Sequence, residues 1–314
     1  MINTVTGKIE KEDLGITLAH EHLVWNEDKA QYLYFDKKYD EKEIEDLYNS
    51  LLPVFKGLYQ QGCRAVAETS PPYGGQNLKL MQKLSKASGV KIIPNTGLAF
   101  TGHVYQIHKE GFAEQVAQRW VKDYKEGLDT INGTIIRPSH IKILLCHNDG
   151  LSEFNREKLR AAVIASRSTD LPIHCHIQGK ETAEDVIDFL VKENFNFENF
   201  LWAHASHKTD KEWNKTLQRA ISTGMWLGFD MIKDPDEYGK YVKLIKKAID
   251  EKYAERILLS QDYDFYEEVS EKGANHPCLN LFTEFIPYCQ ENGLDRDIIF
   301  DILTKNPANF YSIE

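Results

Sequence analysis

The chain has 314 residues and a formal net charge of −10, with acidic and basic residues interspersed along it. This balance argues against nucleic acid or an anionic membrane surface as the main partner and favours a small-molecule substrate. Five cysteines form no CxxC pair, the N-terminal sequence lacks a signal-peptide layout, and no apolar run reaches transmembrane length. We therefore expect a cytoplasmic protein that binds neither nucleic acid nor membranes, and a homodimer is compatible with the sequence.

Short β-branched or aromatic runs alternate with longer stretches of helical periodicity, after a small N-terminal hairpin expected in TVTGKIE. The eight predicted strands are GITLAHEHL (15–23), RAVAETS (64–70), KIIPNTGLAF (91–100), IKILLC (141–146), LPIHCHI (171–177), FLWAHAS (200–206), GMWLGFD (224–230) and RILLSQD (256–262). Eight such alternations predict one domain over residues 1–314, an α/β (β/α)8 TIM barrel with a short N-terminal β-hairpin. A doubly wound open sheet is the alternative, but no GxGxxG motif follows any of these strands.

The first predicted strand ends in His20-Glu21-His22. Because side chains alternate between the two faces of a strand, the two imidazoles point to one side and Glu21 to the other. An isolated HxH sequence is more often a solvated strand end than a metal site, so other residues must decide between the two readings.

Further polar residues lie in or at the ends of later strands. Lys142 lies in the fourth strand, and His176, His204 and Asp262 lie at or near the ends of the fifth, sixth and eighth strands. In a barrel, the C-terminal strand ends meet around one mouth, where chemistry takes place. Four imidazoles and a carboxylate suit Zn²⁺ or a similar ion and are too many ligands for one tetrahedral ion. The sequence therefore predicts two divalent metal ions, with zinc as the expected element.

Lys142 is the candidate bridge between the two ions. A cationic lysine would be repelled by metal ions, whereas reaction of its amine with CO2 gives an anionic carbamate that can span both of them. The simpler alternative is a strand-end lysine whose charged group extends to solvent.

Seven segments carry a resemblance to a known family. They are GITLAHEHL, SHIKILLC, LPIHCHIQG, LWAHAS, GMWLGFD, ILLSQDYDF and KNPANF. In these segments the chain resembles the phosphotriesterase family of the amidohydrolase superfamily, which includes the phosphotriesterase-like lactonases. The resemblance implies that His20, His22 and Asp262 hold the more buried metal ion and that His176 and His204 hold the more exposed one. It also implies that carbamylated Lys142 bridges the ions.

The expected activity is metal-dependent hydrolysis of lactones or carboxylic esters, with weak phosphotriesterase activity. Asp262 is the expected catalytic residue, because it neighbours the attacking water and can accept its proton. Two alternatives stay open at this point: an amide or cyclic amide hydrolase of the same superfamily, and a catalytically silent barrel that binds a metal or ligand.

Aromatic and apolar residues near the predicted strand ends are candidates for the substrate pocket. The candidates are Trp25, Tyr73, Phe100, Met231 and Tyr263. The acidic and aromatic loop after Asp262 predicts a preference for neutral substrates, against which Lys233 and Lys240 are the main counterargument. Two further histidines are expected to be structural: His174 in the interior, and His140 at a solvated edge.

Overall fold

The computed structural model describes residues 1–26, 39–72, 74–99, 102–145 and 150–313, and for residues 102–104 it describes the backbone alone. The strands are β1 (Ile2–Thr4), β2 (Gly7–Ile9), β3 (Thr17–Glu21), β4 (Ala65–Glu68), β5 (Lys91–Ile93), β6 (Asn95–Leu98), β7 (Asp129–Ile131), β8 (Thr134–Ile136), β9 (His140–Leu145), β10 (Ile173–Ile177), β11 (Phe200–Ala203), β12 (Trp226–Phe229) and β13 (Ile257–Leu259).

The helices alternate with these strands. They are α1 (Glu41–Gln60), α2 (Leu78–Ser88), α3 (Gly102–Ile107), α4 (Phe112–Glu126), α5 (Glu153–Thr169), α6 (Lys180–Lys192), α7 (Lys211–Thr223), α8 (Tyr238–Asp250), α9 (Phe265–Lys272), α10 (Ile286–Glu291) and α11 (Arg296–Tyr311). A π-helical stretch, Leu281–Phe285, leads into α10. No helix in the described ranges combines the length and the apolar character needed to cross a membrane.

The predicted barrel is confirmed. Parallel strands pair in the order β6-β9-β10-β11-β12-β13, and β3, β4 and β5 form a second sheet. The two sheets meet beside β3, where the Asp262 N–H donates to the His20 carbonyl at 3.0 Å and the His22 N–H donates to the Tyr263 carbonyl at 2.8 Å. This seam brings the first and the last barrel strand together at their C-terminal ends.

The third predicted strand is divided in two. Pro94 separates β5 from β6 because proline has no N–H to donate to a ladder, so β5 pairs with β4 and β6 pairs with β9. The predicted N-terminal hairpin is present as β1 and β2, whose registers pair Ile2 with Ile9. A second hairpin, β7–β8, was not predicted, although its Asn132-Gly133 turn is a recognised hairpin signal.

The helices cover the barrel with their apolar faces. In α1, Asp40 and Glu43 form a capping box at the start, and Leu47, Leu51 and Leu58 are buried at helical spacing. The covering helices leave the strand ends and their loops as the part of the barrel where polar side chains gather.

Candidate metal centre

His20 and His22 point to the same side of β3, as strand alternation predicts, and both approach the carboxylate of Asp262. The Oδ1 atom of Asp262 lies 3.4 Å from His20 Nε2 and 3.3 Å from His22 Nε2. One atom from each of these residues lies within 4.8 Å of one atom from each of the others. The three residues therefore form a compact group of nitrogen and oxygen donors that could hold a metal ion.

His176 and His204 form a second pair beside this group. His204 Nε2 lies 2.8 Å from His176 Nδ1, and the ring centroids of His20 and His204 are 5.0 Å apart. The other ring nitrogen of His176, Nε2, is buried and has no hydrogen-bond partner among the described residues. A buried imidazole with such a nitrogen is a ready metal ligand.

Asp230 connects the two groups, and the sequence analysis missed it. Its Oδ2 accepts from His20 Nδ1 at 2.7 Å, while its Oδ1 faces His204 Nδ1 at 3.0 Å and accepts from the His204 backbone N–H at 2.9 Å. A carboxylate that holds Nδ1 of a histidine orients the ring and leaves Nε2 free to bind a metal. Asp230 follows the seventh barrel strand, so the rule that selected the other strand-end residues could have found it.

Lys142 lies inside the barrel and does not extend to solvent. The residue is 1% exposed, and its Nζ lies 2.8 Å from His20 Nε2. Gly97 on the neighbouring strand makes room here, because a Cβ on Gly97 would lie 1.8 Å from the Lys142 carbonyl oxygen. The alternative of a lysine that reaches solvent is therefore wrong, and the amine faces the histidines at the centre.

The charges of these groups suit metal ligands. Burial lowers the pKa values of His20, His22 and His176, which keeps the imidazoles neutral with a lone pair available. Burial alone would raise the pKa of Asp262, but the facing His20 and His22 hold it well below its usual range. In the same way His204 offsets burial and lowers the pKa of Asp230 to about 2. Neutral nitrogen donors around ionised carboxylates fit a divalent cation.

Two of these residues adopt a backbone conformation that is rare outside glycine. His204 has φ 66° and Asp262 has φ 56°. Left-handed residues of this kind cost about 1–3 kcal/mol each and persist only where the surrounding structure holds them. Both lie just beyond a barrel strand, where the bend turns their side chains toward the centre.

Two further histidines lie deeper in the barrel. His174 is buried as expected, with Nδ1 3.2 Å from the Tyr311 hydroxyl and Nε2 3.2 Å from His20 Nδ1. The prediction of a solvated edge position for His140 is wrong, because this residue is fully buried and its ring lies 5.6 Å from that of His174. His140 precedes Lys142 by two residues and so shares its inward face.

His20, His174 and Asp230 also lie close enough together to hold an ion. Their geometry favours a hydrogen-bonded support instead, because His20 Nδ1 faces Asp230 and cannot both donate its proton and bind a metal.

The predicted pocket residues differ in their positions. The Trp25 ring packs against His22 with 5.0 Å between centroids, which places it beside the centre. Met231 is partly buried, and its carbonyl oxygen accepts from the Tyr241 hydroxyl. Tyr263 is buried, with its hydroxyl donating to the Lys233 carbonyl at 3.2 Å, so it is mainly a core residue. Tyr73 and Phe100 lie outside the described residues.

Two residues of the acidic loop after Asp262, Asp264 and Phe265, are engaged in contacts away from the centre. Asp264 is the N-cap of α9 and accepts from the Glu267 and Trp25 backbone N–H groups, while Phe265 is fully buried. Lys233 lies closer to the centre, with its Nζ 3.8 Å from Asp262 Oδ2 and its side chain 38% exposed. A positive charge therefore reaches solvent beside Asp262.

The chain is similar to known proteins over nearly its whole length. The family model described as "Phosphotriesterase family" matches residues 1–311. An aryldialkylphosphatase of Saccharolobus solfataricus is 25% identical, with 97% of each chain covered. A phospho-furanose lactonase of Mycoplasmopsis synoviae is 26% identical over 99% of this chain and 91% of its own.

Solved structures extend the likeness to the whole fold. A multiply substituted PTE-like lactonase of Deinococcus radiodurans superimposes with a TM-score of 0.82, and the match covers 99% of this chain and 100% of that protein at 21% identity. At this identity the match supports the fold, and the barrel strands that carry the centre are part of it.

Proposed function

Because this chain belongs to the phosphotriesterase family, we propose that it hydrolyses lactones or carboxylic esters, with weak phosphotriesterase activity. Enzymes of this family are binuclear metal hydrolases, and this chain has a cluster of histidines and aspartates that could hold a metal. The observation that carries the proposal is the convergence of His20 and His22 on Asp262, with His176 and His204 beside them.

We assign His20, His22 and Asp262 to one divalent ion and His176 and His204 to a second one, with zinc as the expected element. Carbamylated Lys142 would bridge the two sites. The carbamate forms when the Lys142 ammonium group loses a proton and the free amine nitrogen bonds to the carbon of CO2 with release of a second proton, so that a buried cation is replaced by a bidentate anion. The position of the Lys142 Nζ beside His20 Nε2 supports this role.

Divalent ions held there would supply two kinds of chemistry, the activation of a water molecule and the polarisation of the carbonyl or phosphoryl group of the substrate. We assign to Asp262 the role of accepting the proton of that water and passing it to the leaving group, because its carboxylate faces His20 and His22 at the centre. Asp230 keeps the rings of His20 and His204 in their orientation through its two oxygens. Trp25 supplies an apolar wall beside His22.

The names of two relatives support an ester-type substrate. One is called an aryldialkylphosphatase and the other a phospho-furanose lactonase, so both names describe hydrolysis at a bond to a leaving oxygen. An amide substrate and a silent barrel are the alternatives that a substrate panel must address. Lactones, aryl esters, phosphotriesters and amides of matched size should be compared with the same zinc-reconstituted protein, and turnover of amides alone would contradict the proposal.

Lys233 favours a second candidate, a lactone that carries an anionic group such as a phosphate. Its ammonium reaches solvent beside Asp262, whereas Asp264 is occupied as a helix cap. An exposed charge pair contributes up to about 1 kcal/mol, and a partly desolvated one contributes more. The expected preference for neutral substrates depended on the acidic residues of the loop. Because Asp264 caps a helix and Lys233 lies beside Asp262, a substrate with an anionic group is a candidate as well.

Lys233→Met keeps the length of the side chain and removes its charge. We expect kcat/KM for a phosphorylated lactone to fall by about tenfold, and kcat/KM for a neutral lactone of the same ring size to change by less than about twofold. Lys240→Met is the matched control, because Lys240 pairs with Glu237 at 2.6 Å and stacks on Tyr241. If Lys233→Met changed kcat/KM equally for both lactones, Lys233 would not bind the anionic group of the substrate.

A further inference from the structure

Glu21, the residue between His20 and His22, is fully buried and points away from both of them. Its two carboxylate oxygens accept hydrogen bonds from one short segment of the chain. Oε1 accepts from the Ser260 hydroxyl at 2.8 Å and from the Gln261 N–H at 2.9 Å, and Oε2 accepts from the Tyr263 N–H at 2.9 Å. One side chain of the first barrel strand therefore binds three residues that follow the last barrel strand.

These three donors flank Asp262 on both sides. Asp262 itself is in the left-handed conformation, with φ 56°, which is uncommon outside glycine and costs free energy unless neighbouring contacts hold it. The main chain adds two bonds across the same seam, from Asp262 N–H to His20 and from His22 N–H to Tyr263. Each residue from 260 to 263 therefore donates a hydrogen bond to the first barrel strand. Among the described residues, Glu21 is the side chain that accepts hydrogen bonds from this segment.

We propose that Glu21 is a positioning residue that holds Asp262 in its left-handed conformation, so that the Asp262 carboxylate faces His20 and His22. The inference rests on the role proposed above for Asp262 as metal ligand and proton acceptor. It also gives a reason for an acidic residue at this place in the strand, because a carboxylate offers acceptors on both oxygens to the converging N–H and O–H groups.

A second buried carboxylate, on the neighbouring strand, has different partners. Glu68, at the end of β4, accepts from the Leu23 N–H at 2.7 Å and from the Ser70 N–H at 2.8 Å. It therefore ties β4 to the chain after His22, and its described hydrogen bonds do not reach residues 260–263. Glu21 therefore accepts hydrogen bonds from the residues around Asp262, and Glu68 accepts one from the residue after His22.

Glu21→Gln tests the proposal with little change in volume. The amide keeps one acceptor oxygen but presents an NH2 group to the Tyr263 N–H or to the Gln261 N–H, so at least one of the three bonds is lost. We expect kcat to fall by about ten- to a hundredfold, as for a reacting group that is slightly misplaced, while KM changes by less than about twofold. Zinc should also be released at a lower chelator concentration than from the wild-type protein.

Asp123→Asn is the matched control for loss of a buried carboxylate. Asp123 accepts from the Thr96 hydroxyl at 2.7 Å and from Arg119 Nε at 3.0 Å on the helix side of the barrel. Its replacement should lower the melting temperature while kcat, KM and zinc release stay within about twofold of wild type. If Glu21→Gln does not fold, Glu21→Asp keeps the carboxylate but shortens the side chain by one methylene, so it should lose at least one of the three bonds and shift kcat and zinc release in the same direction.

A double-mutant cycle on zinc release separates positioning from general support, because coupled residues are not additive. Asp262→Asn alone should weaken zinc retention, and adding Glu21→Gln to it should change retention by less than about twofold. An equal effect of Glu21→Gln in both backgrounds, or an effect on kcat no larger than that of Asp123→Asn, would overturn the inference. Wild-type zinc retention and kcat in Asp262→Asn would instead overturn the role proposed for Asp262, on which the inference rests.

Discussion

Asp262→Asn should lower kcat for lactone hydrolysis by about a hundred- to ten-thousandfold, the contribution of a positioned general base. The amide has nearly the same shape as the carboxylate but cannot accept the proton of the attacking water. Steady-state kinetics of zinc-reconstituted protein measure the effect, and elemental analysis with zinc in excess should still find metal in the variant. Loss of turnover with metal retained would exclude a barrel that keeps its metals for structure alone.

Asp264→Asn is the control for this change, because it makes the same replacement two residues later. Asp264 caps α9 through bonds from Glu267 N–H at 3.0 Å and from Trp25 N–H at 2.6 Å. Weakening an N-cap costs about 1 kcal/mol of stability and should leave kcat within about threefold of wild type. If Asp262→Asn kept more than a tenth of the wild-type kcat, the assignment of Asp262 as the base would be wrong.

Lys142→Ala should remove most activity and most of the bound metal, since a carbamate bridge contributes ligands to both ions. We expect kcat to fall by at least about a hundredfold, because the activated water depends on both ions. Short carboxylic acids such as acetate or propionate should restore part of the activity by supplying the missing anion. A carbonyl signal from ¹³C-labelled bicarbonate should appear in the NMR spectrum of the wild-type protein and be absent from the variant.

Lys158 offers a matched control, because it is also a buried lysine and its Nζ donates to the Ala99 carbonyl at 2.8 Å. Lys158→Ala is expected to cost stability, and added carboxylic acids should not restore any activity that it loses. Wild-type turnover and metal content in Lys142→Ala would show that this lysine is not the bridge.

The barrel and its strand-end residues could be predicted from the sequence because both depend on local patterns. Alternation along β3 places His20 and His22 on one side, and parallel strands bring His176, His204 and Asp262 to the same end of the barrel. The break in the third strand also has a local cause, the missing N–H of Pro94, and the hairpin at Asn132-Gly133 has a recognised turn sequence. These two features were predictable in principle.

Contacts between residues far apart in the chain could not be predicted in the same way. Asp230 is 210 residues from His20, and Glu21 is 239 residues from Ser260, so neither hydrogen bond has a sequence pattern of its own. The direction of the loop after Asp262 also depended on tertiary structure, because Asp264 became a helix cap and Tyr263 a core residue. Composition alone suggested an acidic mouth, whereas the structure also places the ammonium group of Lys233 beside Asp262.

The most direct test of a binuclear hydrolase is a crystal structure of the zinc-reconstituted protein, grown with bicarbonate and measured on both sides of the zinc absorption edge. We expect two anomalous peaks, one beside His20, His22 and Asp262 and the other beside His176 and His204, with density for a carbamate on Lys142 between them. A single peak, or two peaks with an unmodified Lys142 pointing away from them, would contradict a binuclear centre bridged by Lys142.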